Sequence, residues 1–266
     1  MSQNKNNLIY LTNKFDLDDD IIFEPSVKYH RRNLPHWQKD SAIYFVTFRL
    51  SNTIPLTIIH QIRDEFKQQL AFESGKPNQK NYARIAQIKF QYFMKLDEYL
   101  DNHIHVQHLS NPQIAKIVHE AILFFAVVYV NDINKSKPNS GLKIINYAIE
   151  ASGSKEIRFI IYRWCLMPNH VHLLMRPVLD RTTMKFYDLG KILHSIKSYS
   201  ATQANKALKE KGQFWHHESY DHIVRSQNEF NKIWEYVDFN PLRSGLTLSI
   251  EDWTWSSEYF LKQLNT

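Results

Sequence analysis

The chain of 266 residues is 43% hydrophobic, carries a formal net charge of +6 and contains one cysteine. That length and apolar content can bury a sizeable core, which excludes a disordered chain, and the lone Cys165 excludes an internal disulfide framework and suits a reducing compartment. The opening residues lack the charged start and apolar core of an export signal, and no uncharged apolar run approaches a membrane span, so a soluble cytoplasmic protein without a membrane partner is expected.

Residues 1–27 are polar, with an acidic cluster at Asp16, Asp18, Asp19 and Asp20, and read as a poorly ordered arm. "SAIYFVTFRL" (41–50) is rich in β-branched and aromatic residues and reads as the first strand. From Leu56 to about Leu100 the apolar spacing changes to three and four, as in Ile59, Ile62, Phe66 and Leu70, then Ile85, Ile88, Tyr92 and Leu96. This predicts two amphipathic helices joined by "SGKPNQ". "NPQIAKIVHEAILFFAVVYV" (111–130), with Asn111 as N-cap and Pro112 in the first turn, predicts a third helix. A loop follows at 131–141, "LKIINYAIEA" is ambiguous, and "IRFIIYRWCLM" (157–167) and "HVHLLMRP" read as neighbouring strands around a Pro-Asn turn. Helical periodicity returns from Thr183 to about Ala207, "YDHIVRS" (220–226) is a short strand, and "NEFNKIWEYVDF" (228–239) is a helix stopped by Pro241. This order predicts an α+β, split βαβ sheet with helices on one face, enlarged by a helical insertion over about 52–156 within one domain spanning 28–266.

His170 and His172 share one face of their strand, roughly 6.5 to 7 Å apart, while Val171, Leu173 and Met175 face the other way. Such a pair can converge on one cation, but a bare His-x-His also recurs by chance on half-exposed strands with no ligand. His103 and His105 repeat the spacing in a polar connection and carry little weight. With one cysteine, a structural zinc site does not fit; an oxygen-preferring ion such as Mg²⁺ or Mn²⁺, held by two imidazoles and an amide or carboxylate, fits better. Tyr236 and Asn240 stand four apart and so share a helix face. A core aromatic and a helix-end cap are the plainer roles for these two residues.

The strand "MPNHVHLLMRP", the basic stretch containing "IKSYSA", "WHHESYDHIVR" and "YVDFNPLRSGL" together resemble the single-tyrosine HUH transposases, in particular the REP-associated tyrosine transposase branch. The resemblance runs from "YHRRNLPHWQKDSAIYFVTFRL" to "WTWSSEYF". It implies a ferredoxin-like antiparallel sheet and divalent-metal-dependent cutting and rejoining of single-stranded DNA beside hairpins of REP-like palindromes. By position it implies His170, His172 and Asn240 as metal ligands and Tyr236 as the nucleophile that forms a 5′-phosphotyrosine. Distant insertion-sequence relatives carry glutamine where Asn240 stands. Relatives of this kind work as homodimers or, in this branch, as monomers. Residues 132–155 are longer than the family pattern requires.

Between Arg181 and Lys211 seven basic residues face only Asp188 and Glu210, a pattern open to a solvated helix face or a phosphate track. Lys191, Lys197 and Lys206 are candidate backbone contacts, Trp215 and Arg225 further nucleic-acid contacts, and Arg31 and Arg32 with His36 and Trp37 candidates for touching a hairpin. Trp215 as a core residue and 31–37 as a packed segment are equally open. A DNA or RNA hairpin-binding protein of the same fold without turnover is the competing reading.

Overall fold

The computed structural model describes residues 28–31, 35–38, 40–74, 79–103, 105–131, 142–145 and 156–265; the expected arm at 1–27, Arg32 and most of 132–155 lie outside them. Strand β3 (Tyr44–Leu50) shows why a sheet forms here: its period-2 alternation sends Tyr44, Val46, Phe48 and Leu50 into one hydrophobic cluster and Phe45 into another on the opposite face. Strands β6 (Phe159–Leu166) and β7 (His170–Pro177) pair antiparallel, and β7 pairs antiparallel with β3, which itself pairs with β10 (Trp215–Ile223). A register shift between Ile161 and Arg163 reverses the facing of β6: Phe159 and Ile161 enter the same cluster as Trp164 and Leu166.

With helices α3 (Pro112–Leu123) and α4 (Leu189–Leu208), these strands follow the ferredoxin-like βαββαβ pattern, in the order β10-β3-β7-β6. Both helices cover the face lined by Val171, Leu173 and Met175. Each is capped as its sequence dictates: the Asn111 side chain accepts from Gln113 N, and that of Asp188 accepts from Lys191 N. The smaller strands form the hairpins β1–β2 (Lys28–Arg31 and Pro35–Gln38) and β8–β9 (Leu179–Asp180 and Lys185–Phe186).

Four expectations need correction. The third helix stops at Leu123 rather than near 130; "AVVYVN" becomes strand β4 (Ala126–Asn131), whose β-branched residues pair parallel to β6, and β5 (Leu142–Ile145) adds antiparallel beyond it. The 52–156 segment is thus not wholly helical and contributes two strands and α3 to the core. Pro241 does not stop the last long helix, α5 (Gln227–Arg243): lying in its final turn, it forfeits one internal hydrogen bond without ending the coil, and Gly245 at φ +67 closes the helix instead. Helices also cover both faces, because α5 and the insertion helix α2 (Gln79–Asn102), which follows α1 (Leu56–Ser74), pack on the face that carries Phe45, Tyr162 and Leu174.

An ion pair fixes α5 on the sheet. Arg163 Nε donates to Asp238 Oδ2 at 3.1 Å with both side chains buried, its Nη2 lies 3.0 Å from Glu258 Oε1 on α6 (Ser257–Asn265), and its guanidinium stacks 3.4 Å from the Trp234 ring centroid. Removing one partner of a buried pair strands the other in low dielectric. Asp238→Ala is therefore expected to cost about 3 kcal/mol, the low end for such a loss because Glu258 remains, measured by urea unfolding.

Candidate active site

Strand β7 places His170 and His172 side by side on the face beneath α2 and α5, and both are fully buried rather than half-exposed. Their Nε2 atoms stand 2.9 Å apart. The other nitrogen of each ring is fixed. Asn169 Nδ2 donates to Leu100 O at 2.9 Å, which turns Asn169 Oδ1 to His170 Nδ1 at 2.6 Å. An amide oxygen only accepts, so His170 carries its proton on Nδ1 and offers a lone pair at Nε2. His172 Nδ1 meets Thr47 Oγ1 at 2.7 Å, a contact that follows from the register pairing Thr47 with His172. Burial lowers His170 to about 3 and drives His172 well below its usual value, with His170 and Arg243 adding to the effect, so both rings are neutral near pH 7.

Helix α5 brings Tyr236 and Asn240 to the same place, as their spacing of four requires. The Tyr236 ring meets His172 edge to face at 5.6 Å, and Asn240 Nδ2 lies 3.4 Å from His172 Nε2. Asn240 is 2% exposed and its Oδ1 makes no hydrogen bond; a half-turn of the amide presents that oxygen to the imidazoles.

Sequence reasoning missed two carboxylates on α2. Asp97, 1% exposed, accepts the Tyr236 hydroxyl on Oδ2, while Oδ1 makes no hydrogen bond and lies 3.7 Å from His170 Nε2. Asp101, one turn on, has an unpartnered Oδ1 3.9 Å from the same nitrogen. Burial raises Asp97 well above the ordinary carboxylate range, with Asp101 adding to it, and burial raises Asp101 to about 6. The Tyr236 phenol is likewise raised, first by burial and then by Asp97. The signal available in sequence was the i,i+4 spacing of "DEYLD", which puts both carboxylates on one helix face. Arg243 was missed as well; it donates to Tyr236 O at 2.7 Å and lies 4.7 Å from the Tyr236 ring centroid.

These donors fit a divalent cation: two neutral imidazole nitrogens face each other, ringed by buried oxygens of Asp97, Asp101 and Asn240 that lack partners. The remaining candidates fall elsewhere. Trp215 is a core residue, 4% exposed, donating to Ser200 Oγ and packing on Phe48, so it is not a base-stacking platform. Lys197 is half-buried and donates to the carbonyls of His216 and His217, tying α4 to β10. Lys191, Lys206 and Arg225 are exposed. Arg31 pairs with Pro35 in the first hairpin, and His103 stacks on Tyr99 at the surface, apart from any cluster. Among the described residues no helix is long and apolar enough to cross a membrane.

Three comparisons place this chain beside known proteins. A provisionally named REP-associated tyrosine transposase of Haemophilus influenzae is 24% identical over 150 residues, covering 51% of this chain and 78% of its own. A solved structure of a REP-associated tyrosine transposase bound to a REP hairpin aligns with 87% of this chain and 82% of its own at 16% identity, with a TM-score of 0.43. Residues 142–240, which hold both histidines, Tyr236 and Asn240, match the family of IS200-like transposases.

Proposed function

We propose that this protein nicks single-stranded DNA beside hairpins of REP-like palindromes and rejoins it through a 5′-phosphotyrosine on Tyr236, with Mg²⁺ or Mn²⁺ held by His170, His172 and Asn240. The observation that carries this reading is the convergence of two imidazole nitrogens 2.9 Å apart with a tyrosine hydroxyl bonded to a carboxylate that touches both. A hairpin-binding module has no need of such a cluster. REP-like hairpins are the favoured substrate because the family resemblance and the Haemophilus influenzae relative both point to REP association.

A divalent ion at this site supplies Lewis-acid charge to a phosphate oxygen. The protein's own part is positional. Thr47 and Asn169 hold the two rings so that both Nε2 atoms face the same point. The Asp97 carboxylate holds the hydroxyl of Tyr236, and Arg243 adds positive charge at its ring. Attack by Tyr236 Oη forms the O–P bond and breaks the bond from phosphorus to the 3′ oxygen. That oxygen leaves as a hydroxyl with the proton the phenol gives up, and a second 3′-hydroxyl reverses the exchange to join a new strand.

Incubated with hairpin-bearing single strands and Mn²⁺, the wild type is expected to form an SDS-resistant protein–DNA adduct, and Tyr236→Phe none, with hairpin binding retained. An adduct that persists in Tyr236→Phe, or none from the wild type across a broad hairpin set, sinks this reading in favour of hairpin binding without turnover. Exposed Lys191 and Lys206 are proposed to contact backbone phosphates. Replacing both with Ala is expected to flatten the slope of log affinity against log salt by about 0.7 per lysine in a filter-binding series. An unchanged slope removes them from the track.

A further inference from the structure

We infer that the insertion helix α2 completes the metal centre, with Asp97 ligating the cation through Oδ1 while its Oδ2 holds the Tyr236 hydroxyl. One carboxylate then ties the nucleophile to the ion. This rests on the metal-dependent reading above and goes beyond it, since α2 lies outside the stretch matched to the transposase family.

A carboxylate that served only as acceptor for Tyr236 would need one oxygen. Asp97 keeps a second one buried, without a hydrogen bond, 3.7 Å from His170 Nε2. Its only ion-pair contacts among the described residues are the two imidazoles, Oδ2 lying 3.6 Å from His172 Nε2. One ligand atom from each of Asp97, His170 and His172 lies within 4.8 Å of the others. Neighbouring ligands about 2.1 Å from a shared ion stand about 3.0 to 3.4 Å apart, so Asp97 Oδ1, 3.7 Å from His170 Nε2, lies a few tenths of an ångström outside that range for that pair. Asp101 Oδ1, without a hydrogen bond and 3.9 Å from His170 Nε2, suits an outer position bridged by water. Two nitrogen donors with one carboxylate favour a transition ion such as Mn²⁺ over Mg²⁺.

The test is Mn²⁺ binding by the full chain without DNA, read from the electron paramagnetic resonance signal of free Mn²⁺, with folding checked by melting in EDTA. Wild type is expected to take up Mn²⁺ and His172→Ala to lose it. Near-isosteric Asp97→Asn should weaken binding at least about tenfold, since even groups behind a ligand contribute that much. Asp97→Glu, which keeps the charge, should recover part of the loss. Wild-type affinity in Asp97→Asn alongside a defective His172→Ala overturns the role of Asp97 and leaves the metal reading standing; no uptake by wild type overturns both. Should Asp97→Asn fail to fold in EDTA, Asp97→Glu decides. A loss of affinity from its one added methylene supports ligation, and unchanged affinity overturns it.

Discussion

Everything in this site depends on the alternation of one strand held in register with another. Because β7 pairs with β3 so that His172 faces Thr47 and His170 faces Arg49, both imidazoles leave the sheet on one side while Val171, Leu173 and Met175 seal the other. A slip of one residue would send the histidines into the apolar cluster beneath α3 and α4, away from Thr47, Asp97 and Tyr236. The strength of that apolar face, not the histidines themselves, sets the register. The chemistry inherits its geometry from packing.

The second constraint is the seating of α5. A helix proposed to carry both a nucleophile and an amide ligand must hold its rotation about its own axis closely, since a turn of one residue swings a side chain by about 100°. Phe230, Ile233 and Val237 provide the apolar part of that seat, but apolar contacts tolerate rotation. The pairing of Arg163 with Asp238 does not, because its donors and acceptor are directional and buried. Asp238 lies between Tyr236 and Asn240 in sequence and points to the sheet beside them, so its bond clocks the helix for both.

Much of this was legible in sequence where a local pattern and its physical cause coincide. The helix pair before residue 100, the β6–β7 hairpin and the spacing of Tyr236 and Asn240 all rest on periodicity, which needs no tertiary knowledge. The errors came where long-range packing decided. "AVVYVN" continues an apolar run that fits a buried helix or a buried strand equally, and only the free edge of β6 makes it a strand. Pro241 is a stop signal in isolation, yet it falls in a last turn where little is lost. Trp215 beside two histidines looks like a stacking platform, but the edge strand turns it inward onto Phe48. Asp97 went unrecognised as a site residue because its partners His170, His172 and Tyr236 lie 73 and more positions away, and its i,i+4 spacing with Asp101 marks a shared helix face without marking it as buried.

The role of α2 therefore extends beyond enlarging a compact fold. An imidazole serves as a ligand only when its second nitrogen is held, since that bond fixes both the tautomer and the direction of the lone pair. For His172 the holding group is Thr47 on β3; for His170 it is Asn169, whose amide is itself oriented by the Leu100 carbonyl in the last turns of α2. The same stretch of helix presents Asp97 to Tyr236. One element thus reaches the histidine pair through an oriented amide and reaches Tyr236 through a carboxylate. Loosening α2 would disturb the tautomer of one ring and the position of the tyrosine together. A core reduced to the family-matched stretch would keep the two rings, Asn169 and the Arg163–Asp238 pair, but would lose Thr47, the Leu100 carbonyl that orients Asn169 and the Asp97 carboxylate that holds Tyr236.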